Sequence, residues 1–139
     1  MNLPIGIYRI IDANINRSEE ALRVLEDISR FLKNNLELTK KIKKIRHNIY
    51  EFLKELNIPQ DKLIVSRNSD KDVGKLFFPK TEGTRQDIKA IVNANLHRVQ
   101  ESIRVLEEVS KLFDSKVAFK FKKLRYVIYQ LEMPFNSDK

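Results

Sequence analysis

The chain has 139 residues, no cysteine, two histidines and a formal charge of +8, with a pI of about 9.7. That length suits one domain with one core, the lack of cysteine excludes disulfides and thiolate metal sites, and two histidines argue against a histidine-rich metal site. The charge points to an anionic partner; with no signal-like apolar run and no stretch approaching a membrane span, the expected location is cytoplasmic.

Met1 to Tyr8 reads as a short lead-in, because Pro4 and Gly6 disturb an early helix start. From about Ile10, the residues Ile11, Ala21, Leu25, Ile28 and Leu32 recur at helical spacing and predict a helix to about Lys33. Asn34-Asn35 is its expected end, since Asn tolerates the left-handed conformation. A second helix is expected from about Glu37 to Leu56, with Leu38, Ile42, Ile45, Ile49, Phe52 and Leu53 on one stripe. The short connection should make it the antiparallel neighbour of the first.

Ile58-Pro59 stops that helix and opens a long connection, 57–83. Leu63-Ile64-Val65 reads as a brief β-like run, Ser66 to Gly74 as turn chemistry, and Leu76-Phe77-Phe78 as a second apolar anchor. A connection of this length tends to be functional or disordered, and the apolar anchors argue against disorder. Thr84 to Asp87 matches a capping box, predicting a helix from Arg85 to about Phe113. Asp114-Ser115 is a break, a last helix runs from about Lys116 to Glu132, and Pro134 ends it before a frayed tail.

The chain repeats itself. Asp12 to Arg30 (DANINRSEEALRVLEDISR) returns as Asn93 to Lys111 (NANLHRVQESIRVLEEVSK) at an offset of 81 positions. Asn14/Asn95, Arg17/Arg98, Glu20/Glu101, Arg23/Arg104, Leu25/Leu106, Glu26/Glu107 and Ser29/Ser110 are identical pairs. KKIRHNIYEF from Lys43 returns as KKLRYVIYQL from Lys122 at an offset of 79. The expectation is an all-α single domain, 1–139, of internally duplicated helical hairpins in a four-helix bundle-like arrangement. Its repeats span about 10–56 and 85–132, related by a pseudo-twofold axis and joined by a functional loop at 57–83.

On a helical wheel, Asn14 and Arg17 fall in the arc of the apolar stripe, at one end of it. Asn95 and Arg98 do the same in the second copy, so the axis either gathers both pairs in one cleft or leaves two sites. A lone arginine there would more often reach water; the duplicated spacing weighs equally the other way. Glu20, Arg23, Glu26 and Asp27 lie elsewhere on the wheel and read as a solvent-facing ion-pair ladder, which needs alternating sign but not repeated identities. Lys43, Arg46 and Tyr50, like Lys122, Arg125 and Tyr129, border the stripe of the following helix, as cationic stems over the core edge or as phosphate grips. In the connection, Arg67, Asp72 and Gly74 form either an ordinary surface turn or a ligand loop in which Gly74 supplies an unusual backbone angle. With three glycines and no GxxxxGK[ST] or GxGxxG, the major phosphate-cradling loops are excluded.

The stretches DANINRSEEALRVLED, RNSDKDVG and NANLHRVQESIRVLEE resemble the small hydroxymethylpyrimidine-phosphate kinases of thiamine biosynthesis, which occur alone or fused ahead of thiamine-phosphate synthase. The resemblance covers about Ile10 to Glu132, and no synthase barrel follows Lys139, so the free-standing form is expected. It implies ATP-dependent phosphorylation of hydroxymethylpyrimidine monophosphate to the diphosphate, with ATP and Mg²⁺ as cofactors. It marks Asp12, Asn14, Arg17, Glu20, Arg23, Glu26 and Asp27, then Arg67, Asp72 and Gly74, then Asn95, Arg98, Glu101, Arg104 and Glu107. Of these Arg17, Arg98, Glu20 and Glu101 are expected to be catalytic, and Arg46, Arg125 and Arg67 are also expected on phosphates. Asn14 and Asn95 would read the aminopyrimidine edge or a phosphate, and Asp72, Gly74, Arg23 and Arg104 complete the binding set. Mg²⁺ would be held through Asp12, Glu20, Glu101 or Asp72, through waters. Relatives usually read Arg-Asp in the central loop; here it is Arg67-Asn68, so no carboxylate role falls on position 68.

Two other classes compete: a basic helical nucleic-acid-binding module and a non-catalytic helical dimer. Carboxylates interleaved with the arginines would repel a phosphate backbone, which counts against the first. The expected partners are a phosphorylated pyrimidine and a nucleotide, with no specific nucleic acid and no membrane; a homodimer is compatible with the pattern.

Overall fold

The computed structural model describes residues 3–79 and 83–137. Helix α1 spans Ile5–Asp27 and continues through a π-helical turn, Ile28–Leu32; α2 spans Leu36–Glu55. Helix α3 (Gln60–Ser66) and a 3-10 turn (Ser69–Lys71) follow, then α4 (Ile88–Ser110), α5 (Ser115–Tyr129) and α6 (Glu132–Asn136). No strand occurs among the described residues, and the fold is all-α.

The helix ends show local chemistry at work. Helix α1 starts earlier than its apolar spacing suggests: Pro4 is extended, and its carbonyl accepts the Ile7 N–H at 3.0 Å. The first turn thereby buries Tyr8 and Ile11, so Gly6 does not prevent it. At the other end Asn34 takes the left-handed conformation at φ 50, and Asn35 caps α2 by accepting the Leu38 N–H at 3.0 Å. Buried Ser29 and Thr39 share a hydrogen bond of 2.8 Å across this corner. The capping box at Thr84 does not form; Asp87 is extended and its carboxylate accepts the Ala90 N–H at 2.8 Å, so α4 begins three residues later than expected. Asp114 caps α5 in the same manner through Lys116 N–H. The last helix also divides near Leu131, and Pro134 lies in the first turn of α6, where its missing N–H has no intrahelical acceptor to lose.

The central connection corrects the sequence reading most. Leu63-Ile64-Val65 is helical, not extended: the described residues offer no neighbouring strand to take its backbone groups, whereas a helix satisfies them internally. Leu63 is buried against α1, while Ile64 and Val65 are exposed, as are Leu76, Phe77 and Phe78. The apolar residues expected to anchor this segment thus leave most of their surface in solvent.

The core lies between the two repeats. Helix α1 packs chiefly on its own homologue α4 and also on α2, the neighbour its short connection suggested; α4 packs closely on α5. The same positions are buried in each copy: Leu22 with Ile103, Leu25 with Leu106, Ile42 with Phe121, Ile45 with Leu124, and Ile49 with Ile128. Duplication is therefore visible in the packing as well as in the letters. Leu25→Ala and Leu106→Ala should each cost about 2–5 kcal/mol, the range for truncating a fully buried leucine. Urea unfolding of both variants would check this; a loss confined to one repeat would contradict a core shared by both.

Candidate functional site

The repeated polar residues divide into two groups by burial. Glu26 and Glu107 are almost fully buried, although the wheel placed them toward solvent. Glu26 accepts Arg23 Nη1 at 3.2 Å and Arg46 Nη2 at 2.9 Å, one on each oxygen. Glu107 accepts Arg104 Nη1 and Arg125 Nε, both at 3.1 Å. The second arginine of each set comes from the next helix and covers the carboxylate. Stripping one partner from such a buried pair strands a charge, at a cost of about 3–5 kcal/mol. Arg46 and Arg125 are thus committed first to internal carboxylates, which limits the donors left for phosphate.

Arg17 and Arg98 differ. Both are exposed, and neither forms an ion pair with the described residues; Arg17 touches only Asn14 Oδ1, at 3.5 Å. Asn14 is buried and donates Nδ2 to Ile10 O at 2.8 Å, which aims its oxygen at Arg17. These residues line a cleft of about 420 Å³ between α1 and α4, with His97, Glu101 and Ser102. The two arginines of the repeat therefore meet in one cleft.

That cleft has a neighbour on each side. Asn14 and Arg17 also line a cleft of about 400 Å³ under the central connection, with Arg9, Asp12, Arg67 and Asp72. His97 and Glu101 also line one of about 590 Å³ between α4 and α5, with Gln100, Arg104, Arg125 and Tyr129. The shared residues join the three into one groove that crosses the interface of the repeats.

Within the groove Arg67 grips Asp12 in a fork, Nε to Oδ2 and Nη2 to Oδ1, both 2.7 Å. The hydrogen bond to Asp12, then its charge, holds the Arg67 guanidinium even more firmly protonated than usual. Asp12 thereby anchors the connection to α1. Asp72 directs Oδ1 to Gly74 N–H at 2.9 Å, an ordinary turn; Gly74 has no positive φ, so the unusual backbone angle expected there is absent. Asn95 repeats the Asn14 bond, to Ile91 O at 2.8 Å, but lies outside the lining of the three clefts. Glu20, Arg23, Arg46 and Gly74 also lie outside it.

No group of three or more His, Cys, Asp or Glu side chains gathers around a common point among the described residues. No helix among them is long and apolar enough to cross a membrane. His97, Gln100 and Arg9 join the groove without having been singled out from the sequence. His97 corresponds to Asn16 and Gln100 to Glu19, so selecting for repeated identities hid both. Glu19 is half-buried; burial pushes its carboxyl up, against the opposing pull of Arg46 and Arg23. Its Oε1 and Arg46 Nε are both buried without a hydrogen-bond partner.

The chain matches relatives named thiamine-phosphate synthase. The protein from Synechocystis sp. is 40% identical over 129 residues, covering 93% of this chain and 36% of the relative. That from Nostoc punctiforme is 37% identical over 126 residues, covering 91% and 34%. That from Rhodopirellula baltica is 38% identical over 123 residues, covering 88% and 32%. The chain thus spans about a third of the length of the curated relatives it matches. No solved structure matches it. The ThiD2 family profile matches residues 9–134, which takes in both repeats and the groove between them; the chain belongs to the ThiD2 family.

Proposed function

We propose that this groove catalyses ATP-dependent phosphorylation of 4-amino-5-hydroxymethyl-2-methylpyrimidine monophosphate to the diphosphate. The observation that carries the reading is the meeting of Arg17 and Arg98, free of carboxylate partners, in a cleft open to a further cleft on each side. The resemblance of the repeated motifs to hydroxymethylpyrimidine-phosphate kinases supports it, and the relatives' name, thiamine-phosphate synthase, supports a role in thiamine biosynthesis.

The chemistry suits the residues. The acceptor is a phosphate oxygen, and a phosphomonoester with a second pKa of about 6 is largely dianionic near neutral pH. No strong general base is needed, which fits a groove whose one imidazole is His97 among the described residues. What is needed is neutralisation and alignment of two anions that would otherwise repel. Arg17 and Arg98 supply forked donors from opposite repeats at the junction, while the flanking clefts hold the two molecules apart at their far ends.

Mg²⁺ binds through one or two carboxylates, waters and substrate phosphates, so a dense acidic cluster is not required. With Asp12 held by Arg67 and Glu20 outside the groove, Asp72 and Glu101 are the carboxylates that would hold it. When bound it would offset charge on the transferring phosphates. Asn14, fixed by Ile10, presents its carbonyl oxygen to Arg17 and sets that arginine's place beside the aminopyrimidine or its phosphate.

Arg17→Lys and Arg98→Lys keep the charge and lose the fork. Each should lower kcat/KM at least roughly tenfold, or about 1.4 kcal/mol, with an unchanged melting curve. Steady-state kinetics at saturating ATP and then at saturating pyrimidine would assign the losses; full activity in both variants would remove the groove from consideration. The unphosphorylated alcohol should be a poor substrate beside its monophosphate, since it leaves the arginines unpaired and needs a base. Equal turnover of the two would end the arginine-clamp argument. Duplex DNA should bind only weakly and lose affinity steeply with added salt; tight, sequence-dependent binding would favour a nucleic-acid module instead.

A further inference from the structure

The two repeats place nearly the same charges around their buried glutamates. Glu20 matches Glu101, Arg23 matches Arg104, Asp27 matches Glu108, Arg30 matches Lys111 and Arg46 matches Arg125. Only one charged position of α1 in this patch loses its charge in α4: Glu19 becomes Gln100. We propose that this exchange makes the Arg104–Arg125 pair a phosphate subsite and keeps the homologous Arg23–Arg46 pair from being one.

Each side of the comparison has a structural cause. In the second repeat Gln100 carries no charge, and its amide donates to Glu132 Oε1 at 2.8 Å. Glu132 is not part of the cleft lining, whose one carboxylate, Glu101, has its homologue Glu20 in the first repeat. Arg125 is held by Glu107 and by Tyr129 Oη at 3.4 Å, and its guanidinium lies 5.3 Å from the Tyr126 ring centre. Arg104 bonds exposed Glu108 at 3.2 Å, but Glu108 also holds Lys111, and a surface contact of this kind exchanges readily with a better anion. The cleft therefore presents two guanidinium groups fixed from beneath by one shared carboxylate, with room for a ligand above.

In the first repeat the same pair faces Glu19. Burial pushes its carboxyl up, Arg46 and then Arg23 pull the other way, and its buried Oε1 has no hydrogen-bond partner among the described residues. A phosphate arriving there would meet a carboxylate in place of an amide. One scaffold built twice thus offers one anion subsite, and the groove extends toward that side.

This inference rests on the kinase reading only for which molecule brings the phosphate. Calorimetric titration with inorganic phosphate, ATP and the pyrimidine monophosphate tests it, each run on the whole chain with circular dichroism as the folding control. Arg104→Gln should weaken inorganic phosphate roughly tenfold, and Gln100→Glu should do the same by giving the second repeat the first repeat's charge. Glu19→Gln should bind one more equivalent of phosphate than the native chain and melt no lower. Whichever of ATP and the pyrimidine monophosphate competes with inorganic phosphate is its source. Unchanged affinity in both Arg104→Gln and Gln100→Glu, or no added equivalent in Glu19→Gln, would overturn the proposal. Should either of the first two variants not fold, the other and Glu19→Gln decide it. Phosphate binding in the expected pattern without transfer from ATP would instead remove the kinase reading and leave this subsite in place.

Discussion

The structure depends on a buried carboxylate that must be held by two guanidinium groups, and it meets that requirement twice. Glu26 and Glu107 each sit where the long helix of a repeat is covered by the next helix. A carboxylate in such a place is tolerable only when both oxygens are bonded to opposite charge. Arg23 and Arg104 come from the same helix three residues back; Arg46 and Arg125 come from α2 and α5. The requirement fixes how each helix pair docks, because an apolar stripe alone would allow it to rotate or slide. Four of the basic side chains are held in this way, whereas Arg17 and Arg98 are not.

The difference in commitment gives the groove its character. Arginines tied to internal carboxylates are rigidly placed and offer a ligand their remaining donors and a partly offset charge; arginines without such partners offer the whole of theirs. Along the groove the two kinds alternate. Arg67 is bound to Asp12 and closes the connection over α1, Arg17 and Arg98 stand open at the junction, and Arg104 and Arg125 are steadied from below. A chain without a glycine-rich phosphate loop thus presents a row of guanidinium groups, all but Arg67 on helices, and helices hold geometry better than loops do.

Much of this was legible in the letters. The offset of 81 exposed the repeat, the 3.6-residue spacing gave the four long helices, and Asn34 and Asp114 marked real ends. The failures have particular causes. Leu63-Ile64-Val65 has β-branched character, but a strand needs a partner and a helix does not. Asp87 and Thr84 are both competent caps, and only the backbone angles choose between them. Glu26 lies about one residue's rotation from Leu25, a flank position, and whether a flank is wet depends on which side chain from another helix lies over it. The groove itself was half visible: Asn14, Arg17, Arg98 and Glu101 come together, whereas Glu20 and Asn95 do not follow their counterparts into it. A duplicated sequence makes equivalent residues look equally important, but the connection over α1 and the cleft beside α5 are not equivalents of each other.

Because α1 closes chiefly on α4, neither half of the chain contains a finished core. During synthesis α1 emerges with the face that will meet α4 still bare, and each residue of α1 waits 81 positions for its equivalent in α4. The two-helix unit is therefore better regarded as half of an internal dimer whose subunits are tethered end to end. The tether turns a bimolecular encounter into an intramolecular one, at a high effective concentration. It also lets the halves diverge, since a change in one is not copied into the other, and a position such as Glu19 can lose its charge on one side alone.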